Sequence, residues 1–171
     1  MIVVMAGLPG SGKSTIANAL AQRLSAAVLN KDAIRHAVFA PRDVEYSREQ
    51  DDFVMDLMLQ SAQYLWLRDS SRIVILDGRP FSRASQIQRV LHFAQGLQQS
   101  ARILECVCCE ETARHRLEQQ QNAGAHPAAN RGFPLYLEVK ARFEPIQQPK
   151  TVLDTDQPLD ICVNRALNAL R

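Results

Sequence analysis

Gly7-Leu8-Pro9-Gly10-Ser11-Gly12-Lys13-Ser14 satisfies the spacing G-x-x-x-x-G-K-[ST] in full. Three of the chain's 7 glycines and one of its 4 lysines fall within this run. Glycine permits positive φ and close backbone approach, so successive N–H groups can turn inward toward phosphate oxygens. The residues after it, Thr15-Ile16-Ala17-Asn18-Ala19-Leu20, form helix readily, and a helix N-terminus adds its own positive end. An apolar strand, Ile2–Ala6, precedes it, which is the context such a cradle requires. Lys13 would reach the β- and γ-phosphates, and the Ser14 hydroxyl would ligate Mg²⁺. The predicted nucleotide-binding set is Gly7, Pro9, Gly10, Ser11, Gly12, Lys13, Ser14 and Thr15, with ATP and Mg²⁺ as the cofactors.

Two further runs carry chemistry. Asn30-Lys31-Asp32-Ala33-Ile34-Arg35 follows the apolar Ala27-Val28-Leu29. Asp32 and Arg35, three apart at the start of a helix, share a face. A carboxylate there can take the proton of an acceptor hydroxyl, and an arginine can orient that acceptor or neutralise phosphoryl charge. The plainer alternative for Asp32 is a helix N-cap. Asp77-Gly78-Arg79-Pro80-Phe81-Ser82-Arg83 ends the next apolar run. Asp77 would hold Mg²⁺ or contact the acceptor. Arg79 and Arg83 offer forked donors suited to an anionic acceptor, with solvated surface as the alternative.

Other phosphate-binding classes fit less well. A GTPase needs N-K-x-D, and Asn30-Lys31-Asp32 lacks the intervening residue. An ATPase commonly places a second carboxylate after the strand-end aspartate, where this chain has Gly78. A kinase remains.

These residues need a scaffold. Short apolar runs alternate with longer helical stretches, the pattern of a parallel sheet covered on both faces. The expected strands are Ile2–Ala6, Ala27–Leu29, Ile73–Leu76, Ile103–Val107 and Thr151–Asp154. The expected helices are Lys13–Leu24, Asp32–Phe39, Arg48–Arg68, Ala84–Gln98, Glu111–Gln121, Leu135–Phe143 and Leu159–Leu170. In a parallel sheet the strand C-termini share one rim, so all three runs above would meet there. Ser47-Arg48-Glu49-Gln50 reads as a capping box opening the longest helix. In that helix Phe53, Leu57, Gln60, Tyr64 and Leu67 form one stripe, widened by Met55, Met58 and Leu59, which predicts the buried face. The helix around Val44–Met58 is expected to shape the acceptor pocket.

Length and composition bound the rest. With 171 residues, 46% of them apolar and 22% charged, the chain fits one globular domain spanning 1–171. A net charge of +2 is too mild to announce a nucleic-acid or membrane surface. No apolar run approaches the roughly 18–20 residues of a membrane span. The run Met1-Ile2-Val3-Val4-Met5 opens with no basic n-region, so a cleaved signal is not expected and the location reads as cytoplasmic. Cys106, Cys108, Cys109 and Cys162 read as thiols packing like small apolar residues rather than as a disulfide framework or a zinc site. His36, His92, His115 and His126 have no partner constellation.

The phosphate cradle, D-x-x-R after the second strand and an aspartate ending the third together resemble the small P-loop kinases of the AAA_33 type. That group is similar to polynucleotide 5′-kinase domains, chloramphenicol phosphotransferase, zeta toxins, and gluconate and adenylylsulfate kinases. The resemblance implies an α/β three-layer sandwich with a five-stranded parallel sheet in the order 2-3-1-4-5. It also implies a short helical lid, about residues 114–132. It casts Asp32 as general base and Arg35 as an acceptor-side or transition-state arginine. Arg114, Arg116 and Arg131 are the lid candidates, with Arg116 aligning best and Arg131 able to reach the γ-phosphate. The run Asp77-Gly78-Arg79-Pro80 is similar to the D-G-F-P-R of adenylate kinases. The implied catalytic residues are Lys13, Asp32, Arg35, Arg116 and Arg131, and Arg116 also joins the nucleotide-binding set. The substrate-binding set is Asp32, Arg35, Asp77, Arg79 and Arg83, and the metal ligands are Ser14 and Asp77. The expected activity is transfer of the γ-phosphoryl of ATP to a hydroxyl of a small or nucleotide-like molecule, by a monomer or homodimer. A polynucleotide 5′-hydroxyl kinase is less favoured because basic stretches and base-stacking aromatics are few. A non-catalytic ATP-binding module is the remaining alternative.

Overall fold

Strand β1 (Ile2–Ala6) is fully buried and sends alternate side chains into two apolar layers. In the computed structural model, which describes residues 1–122 and 132–171, Ile2, Val4 and Ala6 face one layer. There they meet helix α3 (Arg48–Arg68) and helix α4 (Ala84–Gly96). Val3 and Met5 face the other, built by helix α1 (Lys13–Leu24) and helix α7 (Leu159–Ala169). Each fully buried Ile, Leu or Met side chain contributes about 1.5–3 kcal/mol, so these two layers hold the sheet.

The sheet has the order β2-β3-β1-β4-β5, with β2 (Ala27–Asn30), β3 (Val74–Asp77), β4 (Ala101–Val107) and β5 (Thr151–Asp154), all parallel. This is the α/β architecture and strand order that the resemblance implied. The chain runs to one side of β1 for β2 and β3, then to the other for β4 and β5. The loop leaving β1 therefore opens into a crevice between diverging connections, where such sheets bind ligands. In register, Asn30 lies opposite Asp77, so the ends of β2 and β3 arrive together at this rim. Helix α2 (Lys31–Val38) starts there, and helices α5 (Glu110–Asn122) and α6 (Phe133–Ala141) follow β4. No helix among the described residues is long and apolar enough to cross a membrane.

Three local expectations change. The face α3 buries is Val54, Met55, Met58, Leu59, Ala62 and Trp66, whereas Phe53, Tyr64 and Leu67 are exposed. Apolar residues recur at helical spacing on both sides of α3, so periodicity alone could not choose between them. The sheet takes the side whose Trp66 indole N–H donates to the Arg72 carbonyl at 2.9 Å. Ser47 does cap α3, accepting from the Gln50 amide at 3.2 Å. The reciprocal half of the box is missing: Gln50 Oε1 accepts from the Glu45 amide at 2.8 Å, and Nε2 donates to the Asp43 carbonyl at 2.9 Å. Among the cysteines, Cys106 and Cys162 are buried as expected, but Cys109 is exposed, with its sulfur 3.4 Å from the Thr112 amide in the first turn of α5.

Candidate active site

The cradle is built by a turn only glycine can make. Gly7 has φ +128°, and a Cβ there would lie 2.2 Å from the Cys106 carbonyl oxygen on β4. Gly10 and Gly12 are also left-handed, and Gly12 is the N-cap of α1. Lys13 Nζ folds back over the loop, donating to the Gly7 carbonyl at 2.9 Å and the Leu8 carbonyl at 2.7 Å. The Gly7 amide donates to the Pro80 carbonyl at 3.0 Å, tying the cradle to the loop after β3.

That second loop meets α2 at Asn30. Asn30, not Asp32, caps the helix: its Oδ1 accepts from the Ala33 amide at 2.9 Å. Its Nδ2 donates to Asp77 Oδ2 at 2.7 Å. Gly78 makes the close exit from β3 possible, since at φ +88° a Cβ would stand 2.9 Å from the Lys31 amide nitrogen. Among the described residues Asp77 Oδ1 is buried with no hydrogen-bond partner. A buried, half-satisfied carboxylate suits a cation, so Asp77 with the Ser14 hydroxyl fits Mg²⁺ as an oxygen-ligated ion.

With Asp32 released from capping, its Oδ1 accepts from Arg35 Nη1 at 3.0 Å. Arg35 is fully buried, and its Nη2 donates to Asp51 on α3. Lys31 Nζ donates to the same Asp51 oxygen at 2.7 Å. Burial pushes the Lys31 ammonium below its usual value, while Asp51 and Asp32 pull the other way. The Tyr46 ring covers the Arg35 guanidinium at 5.2 Å. These side chains floor a cleft of about 130 Å³ whose near wall is Pro9, Lys13 and Ser14 of the cradle. Its far wall is Leu135 and Val139 of α6, with Arg142 just beyond.

The structure thus brings Lys13, Ser14, Asp32 and Arg35 into one cleft, as their spacing suggested. Asp77 joins through Asn30. Arg79 and Arg83 stand elsewhere. Arg79 is buried and donates from Nη2 to Asp52 at 2.8 Å, and Arg83 opens α4 with its amide donating to Gln86 at 3.3 Å. Sequence reasoning missed Asn30, Lys31, Tyr46 and Asp51. Asp51 sits beside Asp52 and Glu49 in the first turn of α3, where acidic residues are ordinary complements to the helix dipole. Nothing local marks it as Arg35's partner.

On the other side of the cradle, Arg116 is fixed by the turn after β5. Its Nη1 donates to Thr155 Oγ1 at 2.9 Å and its Nη2 to the Thr155 carbonyl at 2.7 Å. Thr155 Oγ1 in turn donates to the Ser11 carbonyl at 3.1 Å. Arg116, Gly10, Gly12, Ser14, Thr15 and Gln157 line this second cleft, which reaches from the cradle toward α7. Arg114 instead lies over the Phe133 ring at 3.8 Å, linking α5 to α6. Arg131 and His126 lie outside the described residues.

Compared with known families, the sequence matches the profile of AAA_33, an AAA domain, over residues 2–145. The chain belongs to the AAA_33 family. A Bacillus subtilis (strain 168) protein named "Probable adenylyl-sulfate kinase" is 27% identical over 177 residues, spanning 99% of this AAA_33 chain and 84% of that protein. A solved Chloroflexus aurantiacus structure superposes with a TM-score of 0.77 at 20% identity, over 99% of this chain and 98% of that one. The Mycobacterium tuberculosis APS kinase CysC, solved with AMPPNP and APS, superposes with a TM-score of 0.70 at 17% identity, over 99% and 96%. The fold is that of a P-loop kinase-like AAA_33 domain.

Proposed function

We propose that the protein transfers the γ-phosphoryl group of ATP to a hydroxyl of a small molecule seated beside Asp32. The observation that carries this reading is the shared cleft: the cradle's Lys13 and Ser14 form one wall, and Asp32 stands on its floor. Among the described residues Asp32 Oδ2 has no partner. It can take the hydroxyl proton as the new O–P bond forms and the bond to the ADP oxygen breaks. Arg35 holds Asp32 in place and keeps a positive charge beside it. Lys13 exchanges the Gly7 and Leu8 carbonyls for phosphate oxygens. Mg²⁺, held by Ser14 and Asp77, would offset phosphate charge. Arg116, anchored on Thr155 beside the cradle, serves the nucleotide; residues 123–131 of the expected lid lie outside the described residues. ATP as donor makes the cytoplasm the site of action, and the relatives' names favour a small-molecule acceptor over nucleic acid.

The test is acceptor-stimulated ADP release. Asp32→Asn is expected to lower it by about 10²–10⁴-fold, the usual worth of a general base, with the ATP-induced rise in melting temperature kept. Lys13→Ala is expected to lose both. Full turnover in Asp32→Asn removes Asp32 from the chemistry.

A further inference from the structure

Helix α3 turns one apolar face to the sheet and keeps a second one outside. Phe53, Tyr64 and Leu67 are 49%, 58% and 77% exposed, and Leu57 is half-buried. With the exposed Gln60 they recur at spacings of four, three, four and three residues. That is a period of 3.5, the seam of a coiled coil, whereas the outer face of a solitary surface helix is polar. At its N-terminal end the stripe continues onto the end of α2. The Phe39 ring packs against Phe53 with centroids 5.8 Å apart, and Val38 beside it is exposed. Scattered apolar side chains are ordinary on a surface, but a row of this length marks an interaction face. Asp51, which floors the acceptor cleft, lies about 200° around the helix from Phe53, so this face is separate from the cleft.

Three features make a second copy of this chain the cover that fits. The stripe complements itself when run antiparallel. Leu57 then layers with Leu67 of the second copy, and Gln60 with its Tyr64, each pair occurring twice about a two-fold axis. Apolar side chains meet apolar ones, and the Gln60 amide meets the Tyr64 hydroxyl, the polar layer that fixes register in such a seam. Charge selects this orientation. Glu49, Asp52 and Asp56 project from the first three turns of α3, and Arg68 is the single charge after Leu57. Glu49 and Arg68 belong to no ion pair among the described residues. Parallel packing would set the two acidic ends together. Antiparallel packing sets each beside the end that carries Arg68 and opposes the helix dipoles. Area is the third feature. A helix is about 10–12 Å across with its side chains, so the outer half of α3 offers about 500 Å². Val38, Phe39 and the turn after α3 bring this toward the roughly 600 Å² per partner at which specific interfaces begin.

We propose that two copies of this chain pair through α3, outer stripe on outer stripe, antiparallel about a two-fold axis. An interface of this modest size gives a dissociation constant in the micromolar range. The pairing is independent of the kinase reading, since none of its residues lines the acceptor cleft or the nucleotide cleft.

The experiment is sedimentation equilibrium of the full chain from about 1 to about 200 µM, a range that brackets micromolar affinity. The expected mass rises from 19.2 kDa toward twice that value with concentration. A mass of 19.2 kDa throughout overturns the proposal and leaves the stripe to a different partner. Leu67→Glu and Tyr64→Glu are each expected to weaken association about 10-fold or more. Both side chains are exposed, so the melting temperature at low concentration should be unchanged. A dimer of undiminished affinity in both variants places the interface elsewhere and also overturns the proposal. Orientation is read by disulfide cross-linking in a Cys109→Ser background, which removes the exposed thiol. Leu57→Cys chains mixed with Leu67→Cys chains should cross-link to each other under mild oxidation. Leu57→Cys chains that cross-link only among themselves make the packing parallel and refute the antiparallel seam.

Discussion

Asn30 holds two parts of the site at once, and the two can be separated by mutation. Its Oδ1 caps α2 through the Ala33 amide, and its Nδ2 is the hydrogen-bond donor that reaches Asp77. Replacing an Asn cap by Ala costs about 1 kcal/mol. Losing a hydrogen bond to a charged, buried carboxylate costs about 2 kcal/mol more, because Asp77 Oδ1 already lacks a partner and Oδ2 would join it. Asn30→Ala should therefore lose about 3 kcal/mol, which in a chain of this size lowers the melting temperature by about 6–12 °C. Asn30→Ser can still cap α2 but is too short to reach Asp77, so it should lose only about 2 kcal/mol. Urea titration of both variants at neutral pH, alongside the melts, measures the difference. In an Asp77→Asn background the pair persists without the buried charge, and the Asn30→Ser penalty should shrink by half or more. Equal stability of Asn30→Ser and the natural chain would falsify the claim that Asn30 positions Asp77.

Other expectations follow from single contacts. Gly7→Ala forces a Cβ to within 2.2 Å of the Cys106 carbonyl at φ +128°, so β1 and β4 must part. A loss of about 3 kcal/mol or more is expected in urea titration, and a loss under 1 kcal/mol would show that the loop relaxes freely. Burial pushes the Cys106 thiol from 9.0 up to about 12, so above pH 9 the unfolded chain gives up this proton while the folded chain keeps it. Stability is then whole below pH 9 and falls toward pH 12 by up to about 1.4 kcal/mol per pH unit, a slope that Cys106→Ala should lack. Arg116→Ala removes the donors to Thr155 and Gly10 and is expected to raise KM for ATP about 10-fold or more. An unchanged KM for ATP, read by ADP release, assigns Arg116 to the fold alone.

How much of this was legible in the sequence depended on how locally each feature is written. The cradle is eight consecutive residues between a strand and a helix, so its spacing, glycines and context all speak together. Asp32 and Arg35 are one helical turn apart, and their pairing follows from that. The floor closes over longer gaps. Asp51 lies 16 residues from Arg35 and 20 from Lys31, and Arg79 is neutralised by Asp52 across 27. No local pattern fixes such partners, because they depend on how α3 rolls against the sheet. The roll of α3 was itself misread, since Phe53, Tyr64 and Leu67 repeat as regularly as the residues it buries. Asn30 hid behind Asp32, an equally favourable cap type two residues on.

The two walls of the acceptor cleft differ in how freely they could change over generations. The floor is a closed ring of Lys31, Asp32, Arg35 and Asp51, where any single replacement strands a charge. The opposite wall is Leu135 and Val139, on a helix that makes few demands on the sheet, with Arg142 just past its end. Descendants of this chain could acquire new acceptors by drift along α6 while the proton-handling ring stayed fixed. A laboratory library confined to those three positions is the shortest route to a changed preference.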